Sequence, residues 1–186
     1  MDKKQFRKTL ETILDDLKTK LESNRGIQVF VKNRDKFEGW LKVEIVDILY
    51  NKITKNIIPE APDYNKNITS EKNKNYQHVD IIFDDSALEL KTINTNYRHN
   101  EVENKTRPIT YNIKQLKDDI EKLRNLQNED IKNKAILFVV FPLPDDNIDE
   151  FNKKYLQKLG IEIQNSKQFT TICGVPSWIY YGIVRK

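Results

Sequence analysis

The chain has 186 residues, of which 38% are hydrophobic and 32% charged, a balance typical of a globular domain and not of a disordered or membrane-embedded chain. Its 32 Lys and Arg against 28 Asp and Glu leave a formal charge of +4, which permits an anionic partner without requiring one. The single cysteine, Cys173, excludes an internal disulfide and predicts a reducing, cytoplasmic environment, and no apolar stretch approaches the ~18 residues of a membrane span.

Two amphipathic helices are predicted at the start of the chain. The first carries apolar residues at helical spacing (Phe6, Leu10, Ile13, Leu14, Leu17 and Leu21) and ends near Ser23–Gly26. A short apolar run of uncertain type follows at 27–31. The second helix is predicted over residues 36–53, with an apolar face of Phe37, Trp40, Leu41, Ile45, Ile48 and Leu49. Glu44 lies three residues after Leu41 and four before Ile48, so it is expected on or beside that face.

Two polar segments flank the next apolar stretch. Residues 57–58 are a candidate strand start, and residues 59–77 are rich in Asn and Lys, which predicts a long loop. Residues 94–110 are again polar and mix Tyr97 and Arg98 with Lys105 and Arg107. Both segments suit contact with phosphates, and both equally suit an ordinary exposed loop.

The stretch VDIIFDDSALELKT, residues 79–92, predicts a β-hairpin. Its two apolar arms, 79–83 and 87–92, are separated by turn residues. Because side chains alternate along a strand, Val79, Ile81 and Phe83 are expected on one face and Asp80 on the other. When the arms pair, the face of Asp80 can also carry Glu89 and Lys91. The sequence therefore predicts two carboxylates and one ammonium on one face of a small sheet.

The remaining elements complete a mixed α/β pattern. A third helix is predicted from Asn112 as N-cap, with Gln115 as its capping-box partner. Residues 135–141, AILFVVF, predict a central strand covered on both faces. A fourth helix follows and ends at Gly160, and strand-like pieces lie at 161–163, 169–173 and 178–184. Helices and strands in this order predict an α/β domain with a mixed sheet.

Neighbouring carboxylates repel each other and bind a hard divalent cation well. Mg²⁺ prefers a few carboxylate oxygens plus waters, so Asp80 and Glu89 are candidate metal ligands, with the backbone carbonyl of Leu90 as a further one. A lysine beside such a metal, here Lys91, can orient or deprotonate a water, or stabilise charge that develops on a phosphate.

These residues resemble the signature of the PD-(D/E)xK nuclease superfamily. In that signature one strand of a hairpin carries an acidic residue, which here would be Asp80. The next strand carries an acidic residue, any residue and then Lys, which here would be Glu89-Leu90-Lys91. Many members carry a Glu on a preceding helix, for which Glu44 is the candidate, and a helix and buried strand follow. The resemblance spans about residues 37–141.

The resemblance implies a single domain over residues 1–186, with a restriction-endonuclease-like core at about 36–142 and an additional helix and strands at 143–186. It implies a metal-dependent DNA endonuclease of restriction, repair or defence type. Mg²⁺ is the expected cofactor, Mn²⁺ is expected to substitute for it, and the DNA phosphate backbone is the expected partner. Because double-strand cleavage often uses two active sites, a homodimer is a further expectation.

Two alternatives stay open at this point. Val79 precedes Asp80 where the signature has Pro, whereas a literal Pro-Asp occurs at Pro62-Asp63, with 25 residues between Asp63 and Glu89. We favour Asp80, because a polar loop does not hold a metal ligand to the required tolerance. The second alternative is a non-catalytic nucleic-acid- or protein-binding module of the same fold. The intact acidic pair favours catalysis, because a binding module does not need carboxylates that repel each other.

Overall fold

The computed structural model describes residues 1–62, 78–104 and 108–185. These residues form five α-helices: α1 (Lys3–Ser23), α2 (Ile27–Lys32), α3 (Glu38–Lys52), α4 (Ile109–Asn125) and α5 (Ile148–Lys154). The same residues form six strands: β1 (Ile57–Pro62), β2 (His78–Phe83), β3 (Ser86–Asn94), β4 (Asn133–Phe141), β5 (Glu162–Thr170) and β6 (Pro176–Ile183). The strands make one mixed sheet in the order β1-β2-β3-β4-β6-β5.

Pairing in this sheet is antiparallel except between β3 and β4, which run parallel. Helix α4 joins these two strands, as a parallel pair requires a crossover. Every residue of β4 is buried, because the strand lies inside the sheet and has helices over both faces. The predicted hairpin and the predicted central strand are therefore confirmed.

Two apolar cores lie on opposite faces of the sheet. Alternation along β4 sends Leu137 into one core, under α1 and α3, and Phe138 into the other, under α4 and α5. The first core takes the apolar faces of α1 and α3 that the sequence predicts, including Leu14 and Leu41, which are fully buried. An α/β fold with a six-stranded mixed sheet and flanking helices is thus confirmed.

Several element boundaries differ from those expected. Helix α4 begins at Ile109, so Asn112 lies inside it, and Pro108 takes the N-cap position. The predicted capping box of Asn112 and Gln115 is therefore wrong. Asn112 is buried and donates a hydrogen bond to the backbone carbonyl of Asn94 at 3.0 Å, a tertiary contact that competes with the local one.

Other differences concern the loops and the last strands. Pro59–Pro62 belong to β1 and not to a loop, while Asp63, Lys105 and Arg107 lie outside the described residues. The pieces at 161–163 and 169–173 are largely one strand, β5, which pairs along β6 despite its polar sequence. The predicted fourth helix is broken into short segments after Lys154, and Gly160 ends that region with φ at +70°. Within the described ranges, no helix has the length and apolar character needed to cross a membrane.

Candidate active site

A gap between β2 and β3 organises the candidate site. The two strands pair only from Phe83↔Ser86 to Ile81↔Leu88 and then part. Past that point the Leu90 N–H, which points towards β2, has no strand partner, and Oδ2 of Asp80 accepts its hydrogen bond at 2.8 Å. The next N–H on the same side, that of Thr92, is accepted by Oε1 of Glu38 at 2.9 Å. Two carboxylates thus complete the hydrogen bonding of β3 where β2 leaves it.

An irregularity in the neighbouring strand lies beside Asp80. The pairing of β1 with β2 skips Glu60 and Asp80, and Glu60 has a φ of 52°. The side-chain alternation of β2 shifts at this position. Val79 therefore packs in the same core as Ile82, whereas the sequence pattern predicts the core that contains Ile81. Asp80 lies at this irregular position, at the edge of the gap.

Lys42 of α3 neutralises Asp80. Its ammonium is 2.8 Å from Oδ1 of Asp80 and also pairs with Glu60. Burial acts to raise the pKa of Asp80, but the hydrogen bonds from Lys42 and from the Leu90 N–H outweigh it, so this pKa lies below its ordinary value. Asp80 is therefore ionised at neutral pH.

Glu89, in contrast to Asp80, is protonated at neutral pH. It is only 3% exposed, and burial together with the negative charge of Asp80 raises its pKa from 4.5 to about 8, although Lys122 acts against this. The Lys122 ammonium pairs with Oε1 of Glu89 at 2.5 Å. A buried carboxyl beside an ionised carboxylate is a place where a cation is stabilised, and among the described residues Lys122 supplies a positive charge there.

Lys91 lies on the same strand face as Glu89 and is held by acids. Its ammonium is 2.8 Å from Oδ2 of Asp119 on α4 and 4.0 Å from Oε1 of Glu38. Burial acts to lower the pKa of Lys91, but the hydrogen bond to Asp119 and the charges of Glu38, Asp119 and Asp80 outweigh it and raise this pKa. Lys91 therefore stays protonated and can act as a positive charge and donor, not as a base.

Glu44 does not join this cluster. Its carboxylate is 2.6 Å from the ammonium of Lys20 on α1. Residues two apart on a helix point about 200° apart, so the side of α3 that brings Lys42 to Asp80 turns Glu44 away. The acidic residue that α3 places beside the cluster is Glu38 in its first turn. The structure keeps Glu44 apart from the cluster, and its role stays a prediction.

Gln115 lies at the periphery of the site. Its Oε1 accepts a hydrogen bond from Lys36 at 2.7 Å, and the ammonium of Lys36 is 3.9 Å from Oε1 of Glu38. Asp119 and Lys122 follow Gln115 on α4 at helical spacing. Asp119 contacts Lys91, and Lys122 contacts Glu89. Neither residue is predicted from the sequence pattern, although each stands one residue before an apolar core position of that helix.

The donor set suits a hard cation. Because the N–H and C=O of a strand residue point to the same side, the Leu90 carbonyl also faces the gap in which Asp80 lies. Asp80, Glu89 and this carbonyl offer oxygen only, which matches the preference of Mg²⁺ and not that of Zn²⁺. Among the described residues, no group of three or more His, Cys, Asp and Glu side chains is arranged to hold a metal. A cation here would thus rest on two carboxylates, the carbonyl and water.

Comparison with known proteins gives no relative for this arrangement. The chain matches no family model, no curated protein and no solved structure. The interpretation of the site therefore depends on its own geometry and on the resemblance of its sequence motif.

Proposed function

We propose that the chain is a metal-dependent DNA endonuclease that hydrolyses phosphodiester bonds, with Mg²⁺ as cofactor and Mn²⁺ able to replace it. The observation that carries the proposal is the gap between β2 and β3. There the Asp80 carboxylate, the buried carboxyl of Glu89 and the Leu90 carbonyl lie beside the protonated Lys91. This combination offers a cation site next to a fixed positive charge, which anionic phosphodiesters require.

The order of elements supports the same proposal. Helix α3, the β2–β3 hairpin, α4 and the buried strand β4 follow one another as the resemblance to the PD-(D/E)xK superfamily predicts. On this ground we assign the mixed sheet to a restriction-endonuclease-like core. The acidic residue contributed by the preceding helix is Glu38, not Glu44.

The chain's own groups have separate tasks in this proposal. A bound Mg²⁺ would screen the phosphate and lower the pKa of its coordinated water. Asp80, already ionised, is a ready ligand, while Glu89 must lose its proton to become one. Lys91 holds its positive charge where negative charge develops on the phosphate, and Asp119 and Glu38 keep it oriented.

Surface groups beside the gap suit a DNA strand. Tyr111 is 59% exposed on the first turn of α4, and its hydroxyl accepts a hydrogen bond from Gln115 at 3.3 Å. Lys114, one turn further, is also exposed. An aromatic ring and ammonium groups next to the cluster can contact a base and phosphates. A second copy of the chain is the partner we propose for cleavage of both strands.

The test is a cleavage assay on plasmid, linear duplex and single-stranded DNA with Mg²⁺, Mn²⁺ or EDTA. We expect cleavage with either metal and none with EDTA. Absence of cleavage on all three substrates with both metals would remove the nuclease proposal.

A non-catalytic binding module of the same fold is the second candidate. It is favoured by Lys42 and Lys122, whose ammonium groups already lie 2.8 Å from Asp80 and 2.5 Å from Glu89 without a metal. This candidate predicts DNA or protein binding that is unaffected by EDTA, together with no cleavage.

Glu38 and Glu44 provide a matched comparison on one helix. Glu38→Ala is expected to lower the cleavage rate about tenfold or more, because the Thr92 N–H and Lys91 lose the acid that orients them. Glu38→Gln should recover most of the rate, since its amide oxygen can still accept from the Thr92 N–H. Glu44→Ala should change the rate less than about twofold, because Glu44 contacts Lys20.

Single-turnover rates, with melting temperatures measured in parallel, decide this comparison. Equal losses of rate in Glu38→Ala and Glu44→Ala would contradict the placement of Glu38 at the site.

A further inference from the structure

A cavity lies at another edge of the fold, away from the candidate active site. It is a cleft of about 530 Å³ between the first two turns of α1, residues 131–134 and the end of β6. Its volume is in the roughly 300–1,000 Å³ range of small-molecule sites. None of the residues that line it belongs to the candidate active site.

The described lining of this cleft is strongly basic. Lys3, Arg7, Lys132, Lys134 and Arg185 line it, and no Asp or Glu is among the described lining residues. The formal charge of the whole chain is only +4, so five cationic side chains around one cleft are a marked local concentration. Like charges gathered around a concave surface raise the local concentration of anions.

Lys3 and Arg7 have no counter-charge of their own. Neither side chain forms an ion pair or a hydrogen bond with the described residues. They stand four residues apart on α1, so they repel each other, and they lie at the helix N-terminus, where the backbone dipole also disfavours cations. The N-cap of α1, Asp2, is acidic and offsets part of this, but its side chain already accepts a hydrogen bond from the Gln5 N–H at 2.7 Å. A bound anion would relieve the unfavourable terms that remain.

The other three basic residues are anchored by their surroundings. Lys132 is 3.4 Å from Asp85, and Arg185 is 3.4 Å from Glu162. Lys134 is only 5% exposed, and its ammonium donates to two backbone carbonyls at the end of α4. These contacts hold the ammonium and guanidinium groups in place before any ligand arrives, which lowers the entropic cost of binding.

The floor of the cleft is apolar. Phe6, Ile131 and Val184 are buried there, and Ile183 is partly buried beside them. A free inorganic anion would leave this surface uncovered, whereas a ligand with a flat apolar body would cover it.

We propose that this cleft binds a small phosphorylated ligand with a flat ring body, which in chemical class is a nucleotide. The phosphates would contact Lys3 and Arg7 at the rim, and the ring would lie on the apolar floor. This site does not depend on the proposed nuclease activity, because the two share no residue.

The test uses two double variants of the same helix. Lys3→Gln with Arg7→Gln removes two charges that line the cleft. Lys4→Gln with Lys8→Gln removes two charges at the same spacing, one residue along, where both side chains are exposed and neither lines the cleft. Since all four residues are exposed, both variants should keep the melting temperature of the parent within about 2 °C.

Isothermal titration with AMP, ATP and inorganic phosphate is expected to show 1:1 binding of the nucleotides to the parent protein, and tighter binding of ATP. The Lys3 and Arg7 double variant should weaken binding about tenfold or more, the Lys4 and Lys8 double variant less than about twofold. Equal losses in the two variants would overturn the proposal, because they would indicate diffuse attraction. No saturable binding, equal affinity for inorganic phosphate, or binding only of a long oligonucleotide would each overturn it as well.

Discussion

Lys91→Ala is expected to lower the rate of DNA cleavage by roughly two to three orders of magnitude and to leave DNA affinity nearly unchanged. Asp119 and Glu38 keep Lys91 protonated, so in the proposed reaction it would supply a fixed positive charge close to the phosphate. Removal of one such donor costs about 2.7–4 kcal/mol of transition-state stabilisation in comparable sites. In the proposed complex the ground state should lose little, because other lysines would still contact the DNA backbone.

Asp80→Ala should abolish cleavage altogether, since it removes one of the two carboxylates that would hold the cation. Asp80→Asn separates this effect from a structural one. Its amide oxygen can still accept the hydrogen bond of the Leu90 N–H, so the strand junction is preserved while the negative charge is lost. Both variants are expected to fold, because Asp80 is half-buried at the edge of the gap and not in either core.

Single-turnover cleavage rates and DNA affinities, measured with Mg²⁺ and with Mn²⁺, test the predictions for Lys91 and Asp80. Lys18→Ala on α1 is a suitable control, because it removes the same charge from an exposed ion pair with Glu22. If Lys91→Ala cleaves as fast as the parent, Lys91 is not catalytic. Full activity in Asp80→Ala would exclude Asp80 as a metal ligand.

Glu89→Gln is expected to stabilise the metal-free protein at pH 8, although it removes a residue that the proposed reaction needs. The pKa of Glu89 is raised in the folded state to about 8, from 4.5, by burial and by the charge of Asp80. Below pH 4.5 the carboxyl is protonated in both states and has no effect. As the pH rises towards about 8, the unfolded chain releases this proton and the folded chain retains it, so stability is lost across that window.

The expected effect is large. At ~1.4 kcal/mol per pH unit, the window corresponds to roughly 3–5 kcal/mol of unfolding free energy. For a chain of this length that is roughly 6–20 °C in melting temperature. Gln has nearly the volume of Glu and carries no charge, so Glu89→Gln should lack this loss. The difference between variant and parent should vanish near pH 4.

Thermal melts from pH 4 to pH 9 in EDTA measure this directly. Glu121→Gln is the matched control, because Glu121 is exposed on α4 and pairs with Arg124. Addition of Mg²⁺ should stabilise the parent at pH 8 and have less effect on Glu89→Gln, since the cation binds the ionised carboxylate. A Glu89→Gln variant that is no more stable than the parent at pH 8 would show that Lys122 already compensates the buried charge.

The local pattern of apolar and polar residues along the sequence determined much of the architecture. The period of the apolar residues predicts α1 and α3 within a few residues of their bounds, and alternation predicts the β2–β3 hairpin. The uninterrupted apolar run at 135–141 predicts a central strand. These elements follow from sequence because the face that each one buries repeats along a short stretch of chain. The proximity of Asp80, Glu89 and Lys91 follows in the same way, since all three lie within one hairpin, and their role as site residues stays a prediction.

Only the tertiary structure decided which distant residues join Asp80, Glu89 and Lys91. Glu38, Lys42, Asp119 and Lys122 come from two helices on opposite faces of the sheet, and their approach depends on where β2 and β3 part. The sequence could not fix the distance of Glu44 from the cluster, because helical spacing predicts a face but not the rotation of that helix against the sheet. The state of Glu89 likewise depends on how completely α4 covers it. Charges far apart in the chain interact through space, and only the packed fold sets those distances.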